Sequence, residues 1–283
     1  MKKHLSASCL LLTLAASAHA TMVIRNFQSQ LHERFYAGND KAFIGDPYDF
    51  SGVGSGSGWA TLISDCFFIS ATHSHPAIGS SVIFWETNSL SDPTHTYTVA
   101  GGQQIGNTDL WVGWFASAVD ASIARYPVLD LPAAEDYYTF PQFNYGVNNR
   151  VGRNVSDDFG LLTAGPSTGL VFESDYDSSD TPSVGGDETF LQGGDSGAPS
   201  FGVAGGGLAL VGIHWAISDE FPGTDEGEVF VDSAVPAYID EINAVLDDKG
   251  QSLALVPEPS SALLVFGSGA VLLGVRRRRN SAA

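Results

Sequence analysis

Residues 190–202 read FLQGGDSGAPSFG, an acid and a hydroxyl set among glycines that a packed strand would not select. Glycine admits backbone conformations closed to other residues and leaves N–H groups unobstructed. A serine nucleophile needs such surroundings, because the oxyanion formed when it attacks a carbonyl must meet hydrogen-bond donors. Ser196 is therefore a candidate nucleophile, with the N–H groups of Gly194 and Ser196 as candidate donors. The competing reading is a Gly-Asp-Ser turn between two strands.

A nucleophilic serine also needs a base and a group that orients it. FFISATHSHP, residues 67–76, ends an apolar strand-like run at His73, and a histidine at a strand end lies where a cleft would begin. His75 stands two residues on, so a metal-binding pair is the alternative; with no third ligand in sequence, no metal and no cofactor is expected. GNTDLWVGWF, residues 106–115, places Asp109 at the start of an apolar strand, a costly position for a carboxylate without a hydrogen-bond partner. Asp120, in SAVDASIARYP, is its rival but has turn-like neighbours.

Around these residues the pattern is all-β. Short runs rich in Val, Ile, Phe, Trp and Tyr, such as SSVIFWET, HTYTVAG, LALVGIHWA and GEVFVD, are separated by Gly, Asn, Asp and Pro. Helical periodicity is confined to PAYIDEINAVLDD, residues 236–248, which predicts one terminal helix. A stretch near residues 126–145 divides the chain into halves of similar length, so two β lobes with a cleft between them are expected.

His73 in ISATHS, Asp109 in TDLWV and Ser196 in GGDSGAP resemble, in that order, the three signature blocks of the chymotrypsin-like (trypsin-fold) serine proteases of bacterial type. The resemblance runs from about residue 22 to 248. It implies two six-stranded β-barrels with a C-terminal helix, a His73-Asp109-Ser196 triad in the cleft, and an oxyanion hole made by Gly194 and Ser196. It implies a serine endopeptidase acting on a protein or peptide substrate through an acyl-enzyme. It likens Asp195 to the aspartate that pairs with a freshly cut N-terminus in many members, and Val23-Ile24 to such a start. The substrate-binding positions it points to are Phe190 and His214. Phe190 stands where the members that prefer basic residues carry an acid, and Asp187 or Glu188 would supply one only by a register shift. His214, in VGIHWA, is similar to the histidine of the glutamyl endopeptidase branch that binds a substrate carboxylate. Leu191 stands where that branch has a hydroxyl residue.

The chain ends carry addresses. Residues 1–20 have Lys2 and Lys3, the apolar run CLLLTLAASA and small residues before a cut after Ala20, the pattern of a signal peptide. Residues 256–283, VPEPSSALLVFGSGAVLLGVRRRRNSAA, pair an apolar stretch with four arginines at 276–279. Alone that is a short membrane anchor. With Pro257-Glu258-Pro259 it resembles the PEP-CTERM sorting signal, which implies removal by an exosortase-type processing enzyme. The expected location is then the cell surface or extracellular matrix of a Gram-negative bacterium, with membrane contact only through the tail before processing.

The formal net charge is −19, and residues 21–255 carry 31 Asp and Glu against 7 Lys and Arg, so they form an acidic body that excludes nucleic acid and anionic lipid as partners. ESDYDSSD, residues 173–180, has the oxygen density of a calcium loop without its spacing. Once Cys9 leaves with the signal, Cys66 is the lone cysteine and no internal disulfide can form. The function of another class compatible with these features is a non-catalytic surface or biofilm-matrix binding protein on a protease fold. An esterase using the same acyl chemistry is a third.

Overall fold

The computed structural model describes residues 21–131, 140–176, 183–218 and 229–257. The fold is mostly β. Six strands, β2 (Val53–Ser55), β3 (Trp59–Leu62), β4 (Phe67–Ala71), β5 (Ser81–Trp85), β6 (Thr94–Gln104) and β7 (Leu110–Phe115), close a barrel in the order β2-β3-β4-β7-β6-β5. A two-residue strand, β1 (Val23–Ile24), precedes them.

The unbroken apolar run of β4 has a simple cause: both of its faces are buried. Phe68 points into the barrel among Leu62, Val82, Phe84 and Phe115. Phe67, Ile69 and Ala71 point outward into a second core that also takes Phe143, Tyr145, Val151, Phe201, Leu210 and Ile213 from the other lobe. β7 alternates the same way, with Trp111 and Phe115 inward and Leu110 and Val112 toward the shared core. The Trp111 indole fits only because its neighbours lack side chains. A Cβ on Gly102 would come within 1.8 Å of Trp111 Cζ2, and one on Gly113 within 2.1 Å of Trp111 Cζ3.

The second lobe contains β8 (Val128–Asp130), β9 (Pro141–Gly146), β10 (Arg150–Val155), β11 (Asp158–Ala164), β12 (Ser167–Asp175), β13 (Thr189–Phe190), β14 (Pro199–Ala204), β15 (Gly207–Ser218), β16 (Val229–Ala234) and β17 (Leu255–Pro257). Nine of these form one sheet. Its main path is β10-β9-β14-β15-β16-β12-β11, with β8 beside β15 and β17 beside β8. The β14–β15 hairpin turns on Gly205 and Gly206, both at positive φ, as a two-residue hairpin requires.

Among the described residues the second six-stranded barrel expected from the family resemblance is not seen as a closed ring, and no ladder joins β10 to the far side. The strand nearest that gap, β13, is only two residues long and pairs with β1 through Val23↔Phe190 and Ile24↔Thr189. The Asn154 side-chain amide spans the gap instead, donating to Asp175 O at 2.8 Å and Thr189 O at 3.0 Å. The barrel strands end at Phe115 and β8 already belongs to the second lobe, so the chain crosses between lobes over residues 116–127.

The expected terminal helix is present and short. After a 3-10 turn that contains Pro236, the helix Ile239–Leu246 buries Ile242, Val245 and Leu246 against the shared core.

Arg34 ties the N-terminal segment to both lobes. It is fully buried and donates from Nε to Asn88 Oδ1, from Nη2 to Trp85 O and Thr87 O, and from Nη1 to the Tyr145 hydroxyl. Replacing it with methionine of similar length strands four acceptors, the Tyr145 hydroxyl among them fully buried. Arg34→Met is expected to cost about 3 kcal/mol, a fall of roughly 6–12 °C in Tm by differential scanning calorimetry.

Candidate active site

The register of β4 against β7 brings two of the singled-out residues together. Ala71 pairs with Leu110, so the residues just past one strand and just before the other face each other. Thr72 N donates to Asp109 O at 2.5 Å, which anchors the 3-10 turn of residues 72–74. His73 N then donates to Asp109 Oδ1 at 3.2 Å, and His73 Nδ1 donates to Asp109 Oδ2 at 2.7 Å. The Asp109 side chain is 2 % exposed and that of His73 42 %. A buried carboxylate thus holds one ring nitrogen of a half-exposed imidazole, leaving Nε2 free on the open side.

Ser196 sits on the loop that leads into β14, and the loop is shaped by Asp195. Asp195 is fully buried; its Oδ1 accepts from Val147 N and its Oδ2 from Gln192 N, each at 2.7 Å. Burial pushes its carboxyl up from the ordinary range. The bonds from Val147 and Gln192 and the charges of His214 and Arg150 pull it back only in part. No amine reaches Asp195 among the described residues, and Val23-Ile24 lies in β1 instead of capping it. Gly146 must lack a side chain here, since its Cβ would stand 2.5 Å from Asp195 Oδ1.

Gly194 has φ +106° and Gly197 φ +86°, conformations in which any other residue is strained. Gly194 O accepts from Trp59 Nε1 at 2.9 Å, a bond that ties the loop to the barrel. The N–H groups of Gly194 and Ser196 donate to no acceptor among the described residues. Gly197 lies directly on the His73 segment: a Cβ there would meet Ser70 Oγ at 2.8 Å and Ser74 O at 3.0 Å. The loop of Ser196 and the segment of His73 therefore lie against each other at Gly197. Ser196 Oγ makes no hydrogen bond to His73, a separation common in unliganded sites that close on substrate.

Beside Ser196 is a cleft of about 80 Å³, lined by residues 191–193 on one side and 214–217 on the other. Leu191 forms its wall. Phe190 lies behind it, packed with Met22, Ile24 and Phe230. Asp187 faces His32 Nε2 at 3.2 Å, and Glu188 Oε2 accepts from Ser183 Oγ and Val184 N, so neither acid lines the cleft. The side chain of His214 is 1 % exposed. Its Nδ1 contacts Asp232 Oδ1 at 2.6 Å and its Nε2 contacts Tyr145 O at 3.0 Å. Two acceptors facing two nitrogens favour the doubly protonated ring. Burial opposes that charge, but Asp232, Asp195 and the Tyr145 carbonyl outweigh it and raise the His214 pKa. Asp232 Oδ2 accepts in turn from Ser200 Oγ, and Asn144 Nδ2 donates to that hydroxyl.

The other singled-out residues go elsewhere. His75 stacks on Trp111 with ring centroids 4.1 Å apart, and its Nδ1 donates to Pro76 O, so it forms no metal pair with His73. Asp120 is far along the 116–127 crossover and contacts neither His73 nor Ser196. Residues 177–180 of the acidic stretch, the signal segment at 1–20, and residues 258–283 lie outside the described residues. Asp232 and Trp59 were not singled out from sequence. Asp232 carries a related signal, an acid that follows the apolar run Val229–Val231 within β16. Trp59 carries none, since its indole bond depends on the other lobe.

Residues 255–279 match the PEP-CTERM protein-sorting motif. The match implies recognition by an exosortase-type processing enzyme, and a secreted protein sorted to the cell envelope of Gram-negative bacteria. No curated protein matches the chain. No helix among the described residues is long and apolar enough to cross a membrane.

The His214–Asp232 pair sets a pH dependence. Because the folded pKa of His214 is raised, its contribution is complete below the unfolded value of about 6.5 and fades as pH rises through the folded value. Asp232→Asn should therefore melt below wild type by about 3 kcal/mol near pH 5.5, with the gap narrowing near pH 9. A gap that widens with pH would contradict the assignment.

Proposed function

We propose that the protein is an exported serine endopeptidase in which His73, Asp109 and Ser196 act as a triad. The observation that carries this reading is the His73–Asp109 couple, with Nε2 left free on the side where the loop of Ser196 presents two unengaged N–H groups. In the proposed mechanism His73 Nε2 takes the Ser196 Oγ proton as Oγ bonds to the carbonyl carbon of a peptide. The carbonyl electron pair moves to oxygen, which faces the Gly194 and Ser196 N–H groups. The C–N bond then breaks, and His73 passes its proton to the departing amine. Water, deprotonated by His73, attacks the acyl-enzyme and releases the acid with Ser196 restored. Asp109 stays ionised, holding the tautomer and balancing the imidazolium.

The substrate side chain would enter the cleft beside Ser196. With both His214 nitrogens engaged, that cleft offers the apolar walls of Leu191, Trp215 and Ile217 in place of a free counter-ion. This supports cleavage after apolar residues over the glutamate preference that His214 alone would suggest. The sorting tail supports delivery to the cell envelope, where such an enzyme would meet protein substrates.

The test is covalent labelling of the secreted chain by a serine-directed fluorophosphonate. Labelling is expected in wild type, lost in Ser196→Ala and His73→Ala, and accompanied by a fall of about 10⁴-fold in kcat/KM for Asp109→Asn. A peptide library read in parallel should return apolar residues before the cut. A folded, unlabelled wild-type protein would overturn the reading and leave a binding protein on a protease fold.

A further inference from the structure

Asp120, which takes no part in the triad, has a place of its own. Glu86 follows the last residue of β5, and His95 lies on β6 opposite Phe84, so Glu86 and His95 are diagonal neighbours on one face of the hairpin. Tyr97 is two residues further along β6 on that same face. Its hydroxyl accepts from Asp120 N at 2.8 Å, which holds the crossover segment over His95. His95 Nε2, a Glu86 carboxylate oxygen and an Asp120 carboxylate oxygen all lie within 4.8 Å of one another.

We propose that these three residues bind a first-row divalent metal cation, Zn²⁺ foremost. The donor set is one imidazole nitrogen and two carboxylates, which suits Zn²⁺ and its neighbours and not Ca²⁺, whose ligands are oxygens. Ligand atoms about 2.1 Å from a tetrahedral Zn²⁺ are about 3.4 Å apart. The present separations run from 2.7 Å between His95 and Glu86 up to that 4.8 Å limit, so small side-chain rotations complete the triangle. The donors are partly accessible: the side chains of His95 and Glu86 are 24 % and 27 % exposed, and Asp120 is exposed.

The surroundings leave the required electron pairs available. Glu86 Oε1 accepts from His95 Nε2 and Ser122 Oγ, and Asp120 Oδ1 accepts from Ser122 N and Oγ. Glu86 Oε2 and Asp120 Oδ2 have no hydrogen-bond partner among the described residues. The adjacent cation, Arg125, is turned to the carbonyls of Val119, Asp120 and Ile123 and to Asp65. A fourth position is left to water, and the net charge of −19 draws cations to the surface. Bound metal would pin the crossover segment to the β5–β6 hairpin, joining elements that no disulfide can join.

The experiment uses the secreted chain purified without an affinity tag and stripped with chelator. Thermal melting is followed with added Zn²⁺ and with added Ca²⁺, and Co²⁺ serves as an absorbing probe of coordination. Zn²⁺ at a hundredfold excess over its Kd should raise Tm by roughly 5–10 °C, and Co²⁺ should give ligand-field absorption. Both effects should vanish in Asp120→Asn, whose exposed side chain is not needed for folding, and in His95→Gln. Near-ultraviolet circular dichroism shows that each variant is folded. No Tm shift with Zn²⁺, a shift that survives both substitutions, or an equal shift with Ca²⁺ would overturn the proposal. None of these outcomes bears on Ser196, so failure here is distinct from failure of the protease reading.

Discussion

A carboxylate without water is the constraint on which the site depends. Asp195 has no solvent contact, and its two oxygens are satisfied by the N–H groups of Val147 and Gln192. Each bond fixes a different segment, one at the end of the β9 strand and one at the start of the loop carrying Ser196. With the acid held at both ends, the backbone beside it has little freedom. Gly194 and Gly197 take left-handed conformations because that is where the chain must go to leave the acid and reach β14. A buried, unpaired carboxylate is costly, so the loop cannot relax without paying that cost. The burial that raises the Asp195 pKa belongs to the same loop in which the N–H groups of Gly194 and Ser196 meet no acceptor among the described residues.

The two lobes supply complementary halves. The barrel gives His73 and Asp109 through the register of two strands whose faces are both buried. The open sheet gives the Ser196 loop, with Trp59 reaching across to Gly194 O. A shared core, sealed by the terminal helix, keeps the halves in one relation without a disulfide. Arg34, held by neutral acceptors from both sides, replaces a salt bridge at that junction.

Much of this was legible in the sequence, where the signals are local. His73 and Asp109 each break an apolar run at its end, and a polar group at that position needs a partner; the strand register supplied it. Ser196 was legible through its glycines, because positive φ leaves that trace. The terminal helix showed its period. The open second sheet was not legible, since β13 pairs with β1, more than 160 residues away in the chain, in a two-stranded sheet of its own. Asp120 was the rival of Asp109 with turn-like neighbours, and the fold places it between β7 and β8, in contact with neither His73 nor Ser196. Phe190 was placed at the substrate by counting along the chain, but β13 turns it into the core and brings Leu191 to the wall. The role of His214 turned on Asp232, which the same reasoning that found Asp109 would have found.

The last strand bears on how the chain leaves its address behind. β17 runs parallel to β8 through Leu255↔Val128, Val256↔Leu129 and Pro257↔Asp130, and the sorting motif begins at residue 255. The first three residues of the motif are therefore woven into the folded sheet, with no spacer between body and label. A processing enzyme gripping the tail meets the folded domain at close quarters, and any pull on the tail is carried by β17 into the sheet that holds the Ser196 loop.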